Sequence, residues 1–148
     1  MNNIFNYYGD LKFKGYYDSF IDILKDLADE KSQIKAWKNG IYNFGIVEYM
    51  GNKNHIYFYA FSELCSSFLE DCKTIFTLYR EVGFSKEQFE MIKKLYDMIE
   101  NYDSTTGKRD EKGDVIGKTD AQIANDPKWH EIRNYAKHVY KELVGECL

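Results

Sequence analysis

Chemistry in a protein of this kind would start from its histidines, cysteines and carboxylates, and a few stretches hold them at suggestive spacings. Thr105-Thr106-Gly107-Lys108 has the look of a phosphate-binding loop. That loop needs a glycine where Tyr102 stands and a Ser or Thr where Arg109 stands, so its phosphate cradle and metal-binding hydroxyl are both missing. His130-Glu131 opens as a zinc-protease helix does, but Asn134 occupies the position of the second histidine and His138 lies a turn beyond it. A metal on that helix would have no two-point grip. Asp110, Glu111 and Asp114 crowd one loop without the alternating oxygen ligands and closing glutamate of a calcium site. Cys65 and Cys72 fall on an apolar helical stripe, where a thiol is inert packing, and Cys147 sits at the chain end. His55 follows a turn with no partner in view, and no glycine-flanked serine elbow exists. The residues point to no catalytic set, no metal and no cofactor, although a triad assembled from distant residues leaves no trace in one sequence.

What remains is charge. The net charge is −4, which argues against nucleic acid as a partner, because neutralising phosphates takes a basic face. Residues 61–102 carry eight acidic against five basic side chains. Glu63, Glu70, Asp71, Glu81, Glu87 and Glu90 lie on the polar faces of two helices, and these six are the candidate partner-binding residues. Such a face either keeps the protein solvated or steers a basic partner by charge complementarity.

The element that positions these carboxylates is Phe61 to Val82. At about 100° per residue, Phe61, Leu64, Cys65, Phe68, Cys72, Ile75, Phe76 and Tyr79 fall on one face and Glu63, Glu70, Thr74, Thr77 and Glu81 on the other. Gly83 ends that helix. Ser85, with Gln88 three places on, opens the next in a capping-box pattern, with Phe84 and Phe89 spaced as a hydrophobic staple. Its inner face is Phe89, Ile92, Leu95, Tyr96, Ile99 and Tyr102. The two-residue link makes the pair antiparallel neighbours or a sharp corner.

Before them, residues 1–16 read as an arm or short strand, and a first helix runs from Asp18-Ser19 to about Lys31. It turns Tyr17, Phe20, Ile21, Leu24, Leu27 and Ala28 inward and Asp22, Lys25, Asp26 and Asp29 to water. A short helical piece, 32–38, places Ile34 and Trp37 inward and stops at Asn39-Gly40. IYNFGIVEYM and HIYFYAF, divided by Gly51-Asn52-Lys53-Asn54, read as a hairpin, the rival reading of 41–61 being a broken helix. The first run is apolar on both faces, which predicts burial from both sides, and Gly45 marks a bulge or close approach. Residues 103–118 form a mobile polar loop or a small hairpin turning at Lys112-Gly113. A helical turn at Thr119-Asp120 leads to Asp126-Pro127, a cap followed by proline at the first helical position. The last helix, 127–144, buries Trp129, Ile132, Ala136, Val139, Tyr140 and Leu143.

The expected architecture is an α+β single domain, residues 1–148, mainly α-helical with one small antiparallel β-hairpin. Three cysteines without a disulfide framework, no secretory signal and no apolar run of membrane-spanning length predict a cytoplasmic protein that does not enter the membrane.

The run TDAQIANDPKWHEIRNYAKHVYKELV, residues 119–144, resembles the closing segment of small immunity proteins from bacterial polymorphic and contact-dependent growth-inhibition toxin systems. The shared pattern is a short helical turn, Asp-Pro with Trp two residues later, Ile-Arg and an amphipathic end. The resemblance implies a non-catalytic protein that binds a cognate toxin protein domain, often a basic nuclease, and occludes its active site. No residue roles transfer with it. Two other readings stand beside it: a small enzyme or ligand binder with a pocket lined by His55, Tyr57 and Tyr59, and a regulatory protein that self-associates, for instance as a homodimer.

Overall fold

The computed structural model describes residues 10–106, 111–112 and 117–145. Four long helices carry the chain: α1 (Asp10–Ala28), α3 (Phe61–Val82), α4 (Lys86–Thr106) and α6 (Pro127–Val144). Between α1 and α3 lie the short α2 (Glu30–Gln33), a π-helical turn (Ile34–Lys38), and the strands β1 (Asn43–Tyr49) and β2 (Asn52–Tyr57); α5 (Asp120–Ala124) precedes α6. α1 packs on α3 and α6, and α4 packs on the same two. The four helices therefore close a ring that runs up, down, up and down. The result is a mainly helical α+β fold with one two-stranded antiparallel hairpin.

The helical stripes predict the interior well. Phe61, Leu64, Cys65, Phe68, Cys72 and Ile75 of α3 are buried, as are Ile92, Leu95, Ile99 and Tyr102 of α4. From α6 come Trp129, Ile132, Ala136, Val139 and Tyr140. Phe20, Leu24, Leu27 and Ala28 of α1 complete one continuous core. Aromatic rings concentrate at one end of the ring of helices. There Phe61 meets Trp129 edge-on at 5.2 Å and Tyr102 at 5.8 Å, while Trp37 packs against Phe58, Phe61 and Trp129. Edge-on ring pairs of this sort add stabilisation beyond the area they bury.

The caps are local and mostly as read. Gly83 and Gly145 end α3 and α6 at φ 107° and 80°, a left-handed conformation that costs glycine nothing. Ser85 and Gln88 exchange the two bonds of a capping box at the start of α4. Asp126 caps α6, accepting from the Lys128 N–H at 3.1 Å with Pro127 in the first turn.

Four expectations need correction. The segment read as an arm, 1–16, is helical from Asp10 onward, with residues 1–9 outside the described part. Phe13, Tyr17 and Phe20 follow the helical period through Gly15, which lies on the exposed side, and the single glycine costs about 1 kcal/mol. The same helix stops earlier than Lys31, because Asp29 takes the Ser32 N–H at 3.0 Å and its hydroxyl at 2.6 Å and starts α2. α4 continues through Thr106 into the stretch read as loop; of the remainder, 107–110 and 113–116 lie outside the described residues. Phe84 and Phe89 find different partners, the first Tyr17 and Phe20 of α1, the second Phe76 and Tyr79 of α3. Among the described residues no helix is long and apolar enough to cross a membrane.

Candidate functional site

The hairpin departs most from what its sequence suggests. Its turn is two residues, Met50 at φ 49° and Gly51 at φ 80°, the left-handed pair that matches the twist of flanking strands. Asn52, Lys53 and Asn54, read as turn, are strand residues paired with Tyr49, Glu48 and Val47. The expectation that β1 is buried from both sides fails: only Phe44 is half-buried and the other six residues are exposed. Among the described residues no third element lies over β1 beyond Phe44, so its faces stay open whatever their hydrophobicity.

The base of the hairpin, by contrast, is bolted to the body. Between the pairs Asn43–Tyr57 and Gly45–Ile56 the β1 strand carries one extra residue, Phe44. This is a bulge, as Gly45 with φ 126° suggests. Phe44 stacks on Phe58 at 5.5 Å and carries Lys35 Nζ 4.1 Å over its ring. The Trp37 indole donates to the Tyr59 carbonyl at 2.8 Å, and the Tyr42 hydroxyl donates to Asp120 at 2.9 Å. Asp120 also accepts from the Phe61 N–H at 3.3 Å. It thereby caps α3, whose own N-cap, Ala60, has no side chain for the task. Burial, then the hydrogen bond to Asp120 and its charge, push the Tyr42 phenol up to about 12.

Beyond this rigid base the apolar surface is open. Ile41, Ile46, Val47, Tyr49, Met50, Ile56 and Tyr57 are between 44 and 83% exposed, and all fall in one stretch of the chain. The pairing places Val47, Tyr49 and Ile56 on one face and Ile46 and Tyr57 on the other, with Glu48, Lys53 and His55. Where the hairpin leans toward α1 there is a cleft of about 460 Å³, lined by Asp22, Lys25, Asp26, Asp29 and Ser32 on one side and Phe44, Ile56, Tyr57 and Phe58 on the other. Asp26 and Asp29, read as solvent-facing, are half-buried here. Burial in the first place, then the charges of Asp29 and Asp22, raise the Asp26 carboxyl to about 6, with Lys25 acting in the opposite direction.

The carboxylates read as a docking face occupy three places. Glu63 is exposed at the start of α3, near enough to Tyr42 to add to the rise of its phenol. Glu70 pairs with Lys73 at 3.0 Å, and Asp71 accepts from Ser19 of α1 at 2.9 Å beside a second cleft that includes Tyr59. Glu81, Glu87 and Glu90 are exposed around the α3–α4 corner. Eighteen residues of helix, about 27 Å, separate Glu63 from Glu81. Of the pocket residues proposed for a ligand binder, Tyr57 lines the hairpin cleft, Tyr59 lines the other one, and His55 is exposed beside Asn43.

Burial pushes the thiols of Cys65 and Cys72 well up, so neither is a thiolate at neutral pH. His130 is exposed with Nδ1 2.8 Å from Arg133 Nη2. Among the described residues no three His, Cys, Asp or Glu side chains group closely enough to hold a metal ion.

A buried polar hub went unseen in the sequence. Gln33, fully buried, donates to the carbonyls of Asp26 and Leu27 and accepts from Trp129 Nε1 at 2.9 Å and Arg133 Nη1 at 3.0 Å. Glu30 approaches the Arg133 guanidinium at 3.6 Å. The arrangement ties the end of α1, through the Asp26 and Leu27 carbonyls, to α6, and it uses the whole hydrogen-bonding capacity of the Gln33 amide while Arg133 Nε stays buried without a partner. Comparison with known protein families, with characterised proteins and with solved structures finds no match for this chain.

Proposed function

We propose that this chain is a non-catalytic binding protein that neutralises a toxin domain in the cytoplasm by covering it. The observation that carries this reading is that, among the described residues, the seven exposed large apolar side chains all lie in the hairpin and its approach, Ile41 to Tyr57. Apolar surface gathered in one place on a protein is characteristic of an interaction site. Tyr49 and Tyr57 are large amphipathic anchors of the kind that dominate interface energies. The net charge of −4 suits a basic client, and the resemblance of residues 119–144 to immunity proteins supplies the class of client.

The test takes the product of the gene directly upstream of this chain's own as the candidate toxin. Expressed alone, the toxin domain should arrest growth; expressed with this chain, it should not, and the two should co-sediment as a stoichiometric complex. The association rate should fall as salt rises, since steering by opposite charge is screened. A toxin that stays active in the presence of excess chain would overturn the proposal.

A further inference from the structure

We infer that the cleft between α1 and the hairpin seats a lysine or arginine of the protein partner, carried on an extended basic segment that lies along the exposed hairpin. The inference deepens the reading above and rests on it: it assigns the docking face and the chemistry of what docks there.

Three observations converge on this. The hairpin is a two-stranded sheet, so each strand keeps one edge that pairs with no third strand, and exposed apolar side chains lie on both of its faces among polar ones. Proteins normally cover or charge such an edge, because it is a template for another strand. The cleft beside it sets three carboxylates, Asp22, Asp26 and Asp29, and one lysine, Lys25, against an aromatic wall. A guanidinium or ammonium group there would gain charge-assisted hydrogen bonds on one side and a ring face on the other. Phe44 of that wall already stacks on Phe58 and carries Lys35 Nζ at 4.1 Å, so the ring open to an incoming cation is that of the exposed Tyr57. Asp26 is ionised there against burial and two like charges, and an incoming cation would relieve this.

A second copy of this chain fits less well. The hairpin offers one cation of its own, Lys53, and the register places Glu48 opposite it. Two hairpins face to face would bring together two clefts in which three carboxylates outnumber the one lysine, Lys25. The carboxylates along α3 and α4 lack the exposed large apolar residues that the hairpin supplies.

The first measurement is sedimentation of the full chain, which should be a monomer. A dimer dispersed by Tyr49→Ser with Met50→Ser would assign the surface to self-association and overturn the inference. The second is titration of isotope-labelled full chain with the peptide acetyl-Val-Arg-Val-Arg-Val-amide and with its Val-Glu counterpart. Saturable amide shifts confined to the hairpin and to the end of α1 are expected with the first, and at least tenfold weaker binding with the second. Asp22→Asn with Asp26→Asn should weaken the arginine peptide about tenfold. Shifts elsewhere, no shifts, or equal binding of both peptides would overturn it. With the toxin itself, Tyr57→Ser with Met50→Asp should raise Kd at least tenfold. Undiminished binding by that variant would remove this face while leaving toxin neutralisation intact. Failure of the unaltered chain to bind the toxin would count against the function and not against the peptide site.

Discussion

Asp26→Asn should make the protein more stable at neutral pH while making it a poorer binder. In the folded chain the Asp26 carboxyl is raised from 3.8 to about 6, through burial first and then through Asp29 and Asp22. At full strength that difference is about 3 kcal/mol at pH 7. The side chain is only partly buried, so screening by water reduces the effect to about 1–2 kcal/mol. The sign follows from proton binding. Between the unfolded and the folded value the folded state holds the extra proton, so stability falls as pH rises from about 4 through 6 and stays lower above that. Asparagine keeps the shape and removes the charge. Urea unfolding of both proteins from pH 4 to 8 should show no advantage for Asp26→Asn at pH 4 and an advantage of about 1–2 kcal/mol at pH 7. A variant less stable than the parent at pH 7, or a difference independent of pH, would refute the claim that Asp26 is held at a cost. A destabilising carboxylate beside a docking surface is the trade that binding sites commonly show.

Gln33→Leu should cost about 3–5 kcal/mol, because it strands the Trp129 and Arg133 donors and two carbonyls inside the core. Thermal unfolding should report it as a Tm lower by roughly 10 °C or more. Asp120→Ala removes the acceptor shared by the Tyr42 hydroxyl and the Phe61 N–H and should cost about 1–2 kcal/mol. Amide exchange should quicken at the start of α3 and in the hairpin but not in α4. In a Cys147→Ser background, the buried Cys65 and Cys72 should ignore a thiol reagent in the native protein and react fully in urea; reaction of the folded protein would show the stripe of α3 to be accessible.

α3 and α6 were legible whole, and α1 and α4 in all but the start of the one and the last turn of the other, because their evidence is local. A stripe such as Leu64, Cys65, Phe68, Cys72 and Ile75 announces burial through period alone, and caps such as Gly83, Ser85 with Gln88, and Asp126-Pro127 act within a few residues of themselves. The hairpin was legible as a hairpin, from β-rich runs around a turn, but not its surroundings. β1 is as apolar as a buried strand, and nothing in its residues says whether a third element will cover it. The six carboxylates on α3 and α4 could be assigned to polar faces, yet not to the Ser19 contact of Asp71 or the Lys73 partner of Glu70.

What sequence alone determined, then, is which segments coil and which of their faces avoid water, because period and capping are properties of neighbours in the chain. Tertiary structure decided what those faces meet. Gln33 lies 96 residues from Trp129 and 100 from Arg133, and Asp120 lies 59 residues beyond Phe61, the first residue of the helix it caps. Asp26 became a cleft carboxylate only because the hairpin stands beside it. Partners that far apart are chosen by packing, which no local pattern records.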